Sequence, residues 1–205
     1  MPEGSSRLFQ SVAERLISRW MTDQGFRDVR RSTAGERGDR RIDLNYVVDG
    51  TDVGVKLKAD PYCGPDAAKA MDRGLPFYRP DQGQYALELI ENAGARQPGW
   101  ALSSEAEYLY YYFLALDHTE TELEELHNRV DDALLPELRV TVDELVILPM
   151  PELRDWLELN ADRYASRPVI SPTGASWCRL IPRGDLEGSV AGIRVVGPLF
   201  SPNAH

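Results

Sequence analysis

Basic charge, cysteine and long apolar runs are what this sequence is short of. Its 23 Lys and Arg face 33 Asp and Glu, a formal net charge of −10 over 205 residues. Taken as an average, that deficit argues against nucleic-acid binding, because phosphate affinity comes from clustered Lys and Arg. Two cysteines, Cys63 and Cys178, cannot build a disulfide framework, so a reduced cytoplasmic chain is the expectation. The same count excludes Cys₄ and Cys₃His zinc sites, and no finger-like spacing joins the two cysteines to His118, His127 and His205. The apolar runs are as short as Leu145 to Leu148. None approaches the roughly 20 residues of a membrane-spanning helix, so no membrane association is expected. Residues 1–7 lead into an amphipathic segment and not into the apolar core of a secretion signal.

What is present is a globular composition, with 42% apolar and 27% charged residues. The length suits one domain over residues 1–196, with a tail at 197–205. Leu8, Val12, Leu16, Ile17, Trp20 and Met21 recur at helical spacing, with Ser5 or Ser6 as N-cap and Gly25 as stop. A short strand is predicted at 26–31 and a turn at 32–38. Ile42, Leu44, Tyr46 and Val48 alternate with Asp43, Asn45 and Val47 as a strand, and Asp49-Gly50 marks a hairpin turn. The return strand carries Val53, Val55 and Leu57, which leaves Lys56 and Lys58 on its opposite face. Residues 61–82 read as a long loop with a helical turn at 66–72, and 84–91 as a third strand. Trp100 to Leu102 is expected as a short strand, and Ser103 or Ser104 as the cap of a helix through the Tyr-rich run to Leu116. Thr121-x-x-Glu124 has capping-box spacing for a further helix. Residues 144–148 form a strand, Pro151 opens a helix to about Arg163, and Trp177, Arg179 and Ile181 mark a late strand.

Charge is unevenly spread. Residues 27–41 hold six arginines against Asp28, Glu36 and Asp39, a net +3. Residues 103–162 hold sixteen acids against Arg129, Arg139 and Arg154, a net −13. The average therefore does not exclude DNA, which would approach from the side of the Arg-rich segment.

Asp43, Lys56 and Lys58 on two adjacent strands, with Asp60 close behind, are a first candidate for metal-assisted phosphodiester hydrolysis, and Glu88 is a second, with Glu88 or Asp60 as the further carboxylate. Asp43 offers hard carboxylate oxygens to Mg²⁺, and Lys58 can orient a water or meet developing phosphate charge. Glu88 is a carboxylate between Leu87 and Leu89, costly there unless paired or metal-bound. From the spacing of Asp43, Lys56 and Lys58 alone, a solvated hairpin face is the commoner explanation. An exposed strand position explains Glu88 about as well. His118 and His127 read as surface residues.

A resemblance adds weight to these residues. Val55-Lys56-Leu57-Lys58-Ala59-Asp60, then Gly83 to Glu88, then Pro98-Gly99-Trp100 through Ser104-Glu105-Ala106-Glu107-Tyr108-Leu109-Tyr110-Tyr111-Tyr112, resemble small bacterial and phage proteins related to the PD-(D/E)xK nuclease-like superfamily. Val146 to Leu157 fits as the closing strand and helix, so the resemblance spans roughly residues 8–182 with gaps. It implies an α/β restriction-endonuclease-like domain, a mixed and mainly antiparallel sheet flanked by helices. Carried over by motif, it implies a Mg²⁺ (or Mn²⁺) site at Asp43 and Glu88, Lys58 as the motif lysine, and DNA as substrate. Arg30, Arg31, Arg40 and Arg41 would contact its phosphates. Lys56 occupies the position of the motif acid, a departure that places an ammonium beside the metal Asp. The long link 61–82 and a helical insertion at 117–142 are further departures, each a place for a protein partner. Two readings thus stand: a metal-dependent nuclease, and a non-catalytic binding or assembly protein on the same fold. An acidic DNA-mimic inhibitor is a third.

Overall fold

The computed structural model of the chain describes residues 3–62, 67–78, 83–92, 94–171 and 174–201. Cys63, His205, parts of the 61–82 link and the last four residues of the expected tail lie outside them. In chain order the elements are α1 (Glu3–Asp23), β1 (Arg27–Arg31), a π-helical turn (Glu36–Arg40), β2 (Leu44–Val48), β3 (Thr51–Pro61) and α2 (Ala67–Asp72). Next come β4 (Gln84–Asn92), β5 (Gln97–Pro98), α3 (Trp100–Ser103), β6 (Tyr108–Leu116), α4 (Glu120–His127) and α5 (Asp131–Leu134). The chain continues with β7 (Val140–Pro149), α6 (Met150–Asn160), β8 (Ser166–Ser171), β9 (Gly174–Pro182), α7 (Arg183–Glu187) and β10 (Arg194–Gly197).

The result is an α/β fold with a mixed, mostly antiparallel sheet flanked by helices. A six-stranded sheet runs β1-β2-β3-β6-β7-β10, in which only the β3–β6 pair is parallel. A second, four-stranded antiparallel sheet runs β5-β4-β9-β8. The strand expected at 84–91 therefore forms, but in that second sheet.

The Tyr-rich run, expected as a helix, is the central strand β6. It is paired by β7 along its whole length on one edge and by β3 from Tyr108 to Leu114 on the other. Residues Leu109 to Leu116 are all buried, because both faces of the sheet are covered. Tyr110, Tyr112, Leu114 and Leu116 enter one core with Phe9, Leu16 and Ile17 of α1 and Leu123 of α4. Leu109, Tyr111 and Phe113 enter another with Tyr85, Leu87, Ile181, Met150 and Leu153. A strand buried on both faces loses alternation and reads as one apolar run. Trp100 to Leu102, expected as a strand, is the helical turn α3. A Cβ on the preceding Gly99 would stand 2.3 Å from the Glu88 carbonyl oxygen, so only glycine allows this approach to β4.

The capping box of α4 lies two residues earlier than expected. The Thr119 side chain accepts from the Glu122 N–H at 3.3 Å, and Glu122 Oε2 accepts from the Thr119 N–H at 2.7 Å. The expected tail is fastened as far as Ser201. Buried Asp143 on β7 accepts from the N–H groups of Leu199 (2.9 Å), Phe200 (3.1 Å) and Ser201 (3.0 Å) and from the Tyr112 hydroxyl (2.7 Å). No helix among the described residues is long and apolar enough to cross a membrane.

Candidate functional site

The site begins at the β2–β3 hairpin. Asp49 and Gly50 turn it with φ of 50° and 80°, the left-handed pair that Asp-Gly supplies at low strain. Pairing runs from Val48↔Thr51 to Leu44↔Val55, and the Asp43 N–H adds a bond to the Val55 carbonyl at 2.8 Å. Before Asp43 the chain leaves the sheet through Arg41, at φ 55°, into the π-helical turn. Beyond Val55 the β2-side edge of β3 has lost its neighbour, and side chains replace it. The Leu57 N–H donates to Asp43 Oδ2 at 2.8 Å. Gln10 of α1 donates to the Leu57 carbonyl at 2.8 Å and accepts from the Ala59 N–H at 3.0 Å. One carboxylate and one carboxamide thus meet backbone groups that burial would otherwise orphan.

Asp43 is 7% exposed, and Lys56 Nζ lies 2.9 Å from the same Oδ2 that takes the Leu57 N–H. Its Oδ1 faces the Arg37 guanidinium at 4.0 Å. Arg37 in turn grips buried Glu14 of α1 through two bonds of 2.8 and 2.9 Å, which holds the guanidinium charged. Two cations and a backbone donor surround the carboxylate expected to bind metal. A divalent ion would have to displace an ammonium and stand beside a guanidinium, so Asp43 as placed does not fit Mg²⁺ or Mn²⁺. Among the described residues no three His, Cys, Asp or Glu side chains gather as metal ligands.

Lys58 is two residues further along the same face of β3. Asp60, next on that face, is 4% exposed and accepts from the Tyr111 hydroxyl, whose oxygen accepts from the Ala86 N–H at 3.0 Å. Glu88 belongs to β4 of the second sheet, whereas Asp43 precedes β2 of the first. Glu88 is half-buried opposite Cys178 of β9, and Cys178 stands opposite Arg167 of β8. Burial first, then the charge of Glu88, pushes the Cys178 thiol up to about 11. It is a neutral thiol at physiological pH and no ready nucleophile.

The four arginines expected to contact phosphate have protein partners. Arg30 forks onto Glu36 at 2.9 and 3.0 Å and reaches Asp52 at 3.3 Å. The Arg30 bond holds the Glu36 carboxyl down at about 2. Arg40 bonds Glu105 at 2.7 Å, and Arg41 bonds Glu91 at 2.5 Å. Arg31 lies beside Arg7, Glu14 and Arg37 in a surface hollow. Glu14, Asp52, Glu91 and Glu105 all come from outside the Arg-rich segment. Added to its net +3, these four acids leave −1. No local pattern signals this cancellation, because the acids for Arg40 and Arg41 lie 65 and 50 residues away.

His118, expected at the surface, is fully buried. Its Nε2 accepts from the Arg139 N–H at 2.8 Å, and burial lowers its pKa. His127 is half-buried with its pKa lowered in the same way. No protein-family model, curated protein or solved structure matches this chain.

Proposed function

We propose that this chain is a non-catalytic binding or assembly protein built on a restriction-endonuclease-like α/β fold, related to the PD-(D/E)xK nucleases. The observation that carries the reading is the 2.9 Å ion pair between Lys56 and Asp43. The ammonium takes the position where a metal would have to sit, and the residue that supplies it stands in place of the motif acid. Asp43 then serves the fold, as acceptor for β3 and counterion for two cations. The pairing of Arg30, Arg40 and Arg41 with carboxylates supports the same reading, since nucleic acid would have to break those pairs to reach the guanidinium groups. The outer face of α4, with Glu124 and Glu125 exposed next to buried Leu123 and Leu126, suits a basic protein partner.

Calorimetric titration with Mn²⁺, alongside plasmid and single-stranded DNA cleavage with Mg²⁺ or Mn²⁺, tests the proposal. The expected result is neither binding nor cleavage. Tight Mn²⁺ binding abolished by Asp43→Ala, or metal-dependent cleavage lost in Lys58→Ala, would overturn it in favour of a metal-dependent nuclease.

A further inference from the structure

Beyond the paired Asp43 corner, the two sheets enclose a hollow of about 260 Å³. That is roughly the liquid volume of eight or nine waters. Lys58 and Asp60 line it from β3, while Ala86, Arg167, Cys178 and Leu180 line it from the second sheet. In that sheet Tyr85, Leu87 and Ile181 turn to the core, so the alternate residues Ala86, Cys178 and Leu180 face the hollow. Strand register sets Arg167, Cys178 and Glu88 side by side across three strands, and Lys58 of β3 lines the same hollow as Cys178.

The charges here are arranged unlike those elsewhere in the site. Among the described residues neither Lys58 nor Arg167 has a hydrogen bond or ion pair, although Lys58 is half-buried. Asp60, the one acid in the lining, is engaged by Tyr111. Cys178, which stands between Arg167 and Glu88 in the sheet, is a neutral thiol and cancels neither cation. The lining therefore carries Lys58 and Arg167 against Asp60, with Glu88 of β4 next to Cys178, and Ala86, Pro168, Val169 and Leu180 supply its apolar part. A half-buried ammonium such as Lys58 is costly in an empty recess without a direct ion pair, and favourable once an anion reaches it together with the exposed Arg167.

We propose that this hollow binds a small organic anion, its carboxylate or phosphate group held between Lys58 and Arg167 and its carbon skeleton against Ala86 and Leu180. The volume and the walls on both sides select a small molecule over a nucleic-acid strand. The inference does not rest on the absence of catalysis. It stands or falls on anion binding, whereas the proposed function stands or falls on metal binding and cleavage.

The test is amide chemical-shift titration of the full chain with lactate, with glycerol phosphate, and with sodium chloride as the ionic-strength reference. The expected result is saturable shifts at Lys58, Ala86, Arg167 and Cys178 with at least one organic probe. Which probe saturates assigns the anion as carboxylate or phosphate. Arg167→Gln, on an exposed edge strand, and Lys58→Met should each weaken binding about tenfold, as expected for a lost charge-assisted bond. Lys58→Arg should retain it. Shifts that sodium chloride reproduces, no saturable shift with either probe, or affinity unchanged in Arg167→Gln would overturn the proposal.

Discussion

Lys56 and Lys58 stand two residues apart on one face of β3, yet they belong to different electrostatic regions. Around Lys56 every charge is answered: its ammonium meets Asp43, Asp43 meets the Leu57 N–H and faces Arg37, and Arg37 holds Glu14. Around Lys58 the second sheet stands off, leaving a hollow that this ammonium and Arg167 line together with Asp60 and the neutral Cys178 thiol. The first region is a structural joint that ties α1, the π-helical turn and β3 together. The second is open to a ligand. The difference follows from what covers the strand, since the residue type is the same.

The comparison predicts a graded set of stability effects. Asp43→Ala should cost the most, about 3–5 kcal/mol in urea unfolding, because it orphans the Leu57 N–H and leaves the half-buried Lys56 ammonium without its carboxylate. A loss under 1 kcal/mol would mean that Asp43 is not the joint described. Asp143→Asn offers a control in a carboxylate with four donors and no cation. It should cost about 2–3 kcal/mol, with faster hydrogen exchange at Leu199 to Ser201. If exchange there stays slow, the C-terminal segment is held by something else. Lys56→Met should cost about 1–2 kcal/mol, since Asp43 keeps its backbone donor and the methionine replaces the lysine stem. Lys58→Met should stay within about 0.5 kcal/mol of the parent, as expected where no hydrogen bond or ion pair among the described residues is lost. Equal losses in Lys56→Met and Lys58→Met would erase the distinction between the two regions.

Local signals made much of the frame legible. The hydrophobic stripe of α1 with Gly25 at its end, the Asp49-Gly50 hairpin, the strands at 84–91 and around Trp177, and Pro151 at the start of α6 all follow from periodicity and turn chemistry. The Tyr-rich run did not, because a strand covered on both faces shows no period of two and its aromatic residues fit either element. α3 was missed because its conformation depends on Gly99 lying against the β4 backbone, a contact between segments. The candidate residues were located in the chain but not in their environments. Lys56 was recognisable as a departure, while its bond to Asp43 was not. The cluster of arginines was plain, while the acids that neutralise it came from α1, β3, β4 and the segment before β6.

By itself the sequence determined that this is an α/β chain with an Arg-rich segment beside a hairpin and two lysines on one strand face. Those properties depend on neighbours a few residues apart, which composition and spacing record. Only the tertiary structure decided that Lys56 is paired with Asp43 while Lys58 lines a hollow, and that Arg30, Arg37, Arg40 and Arg41 are spent on carboxylates. A charge takes its role from the dielectric and the counterions around it, and here those come from segments that meet only when the chain is folded.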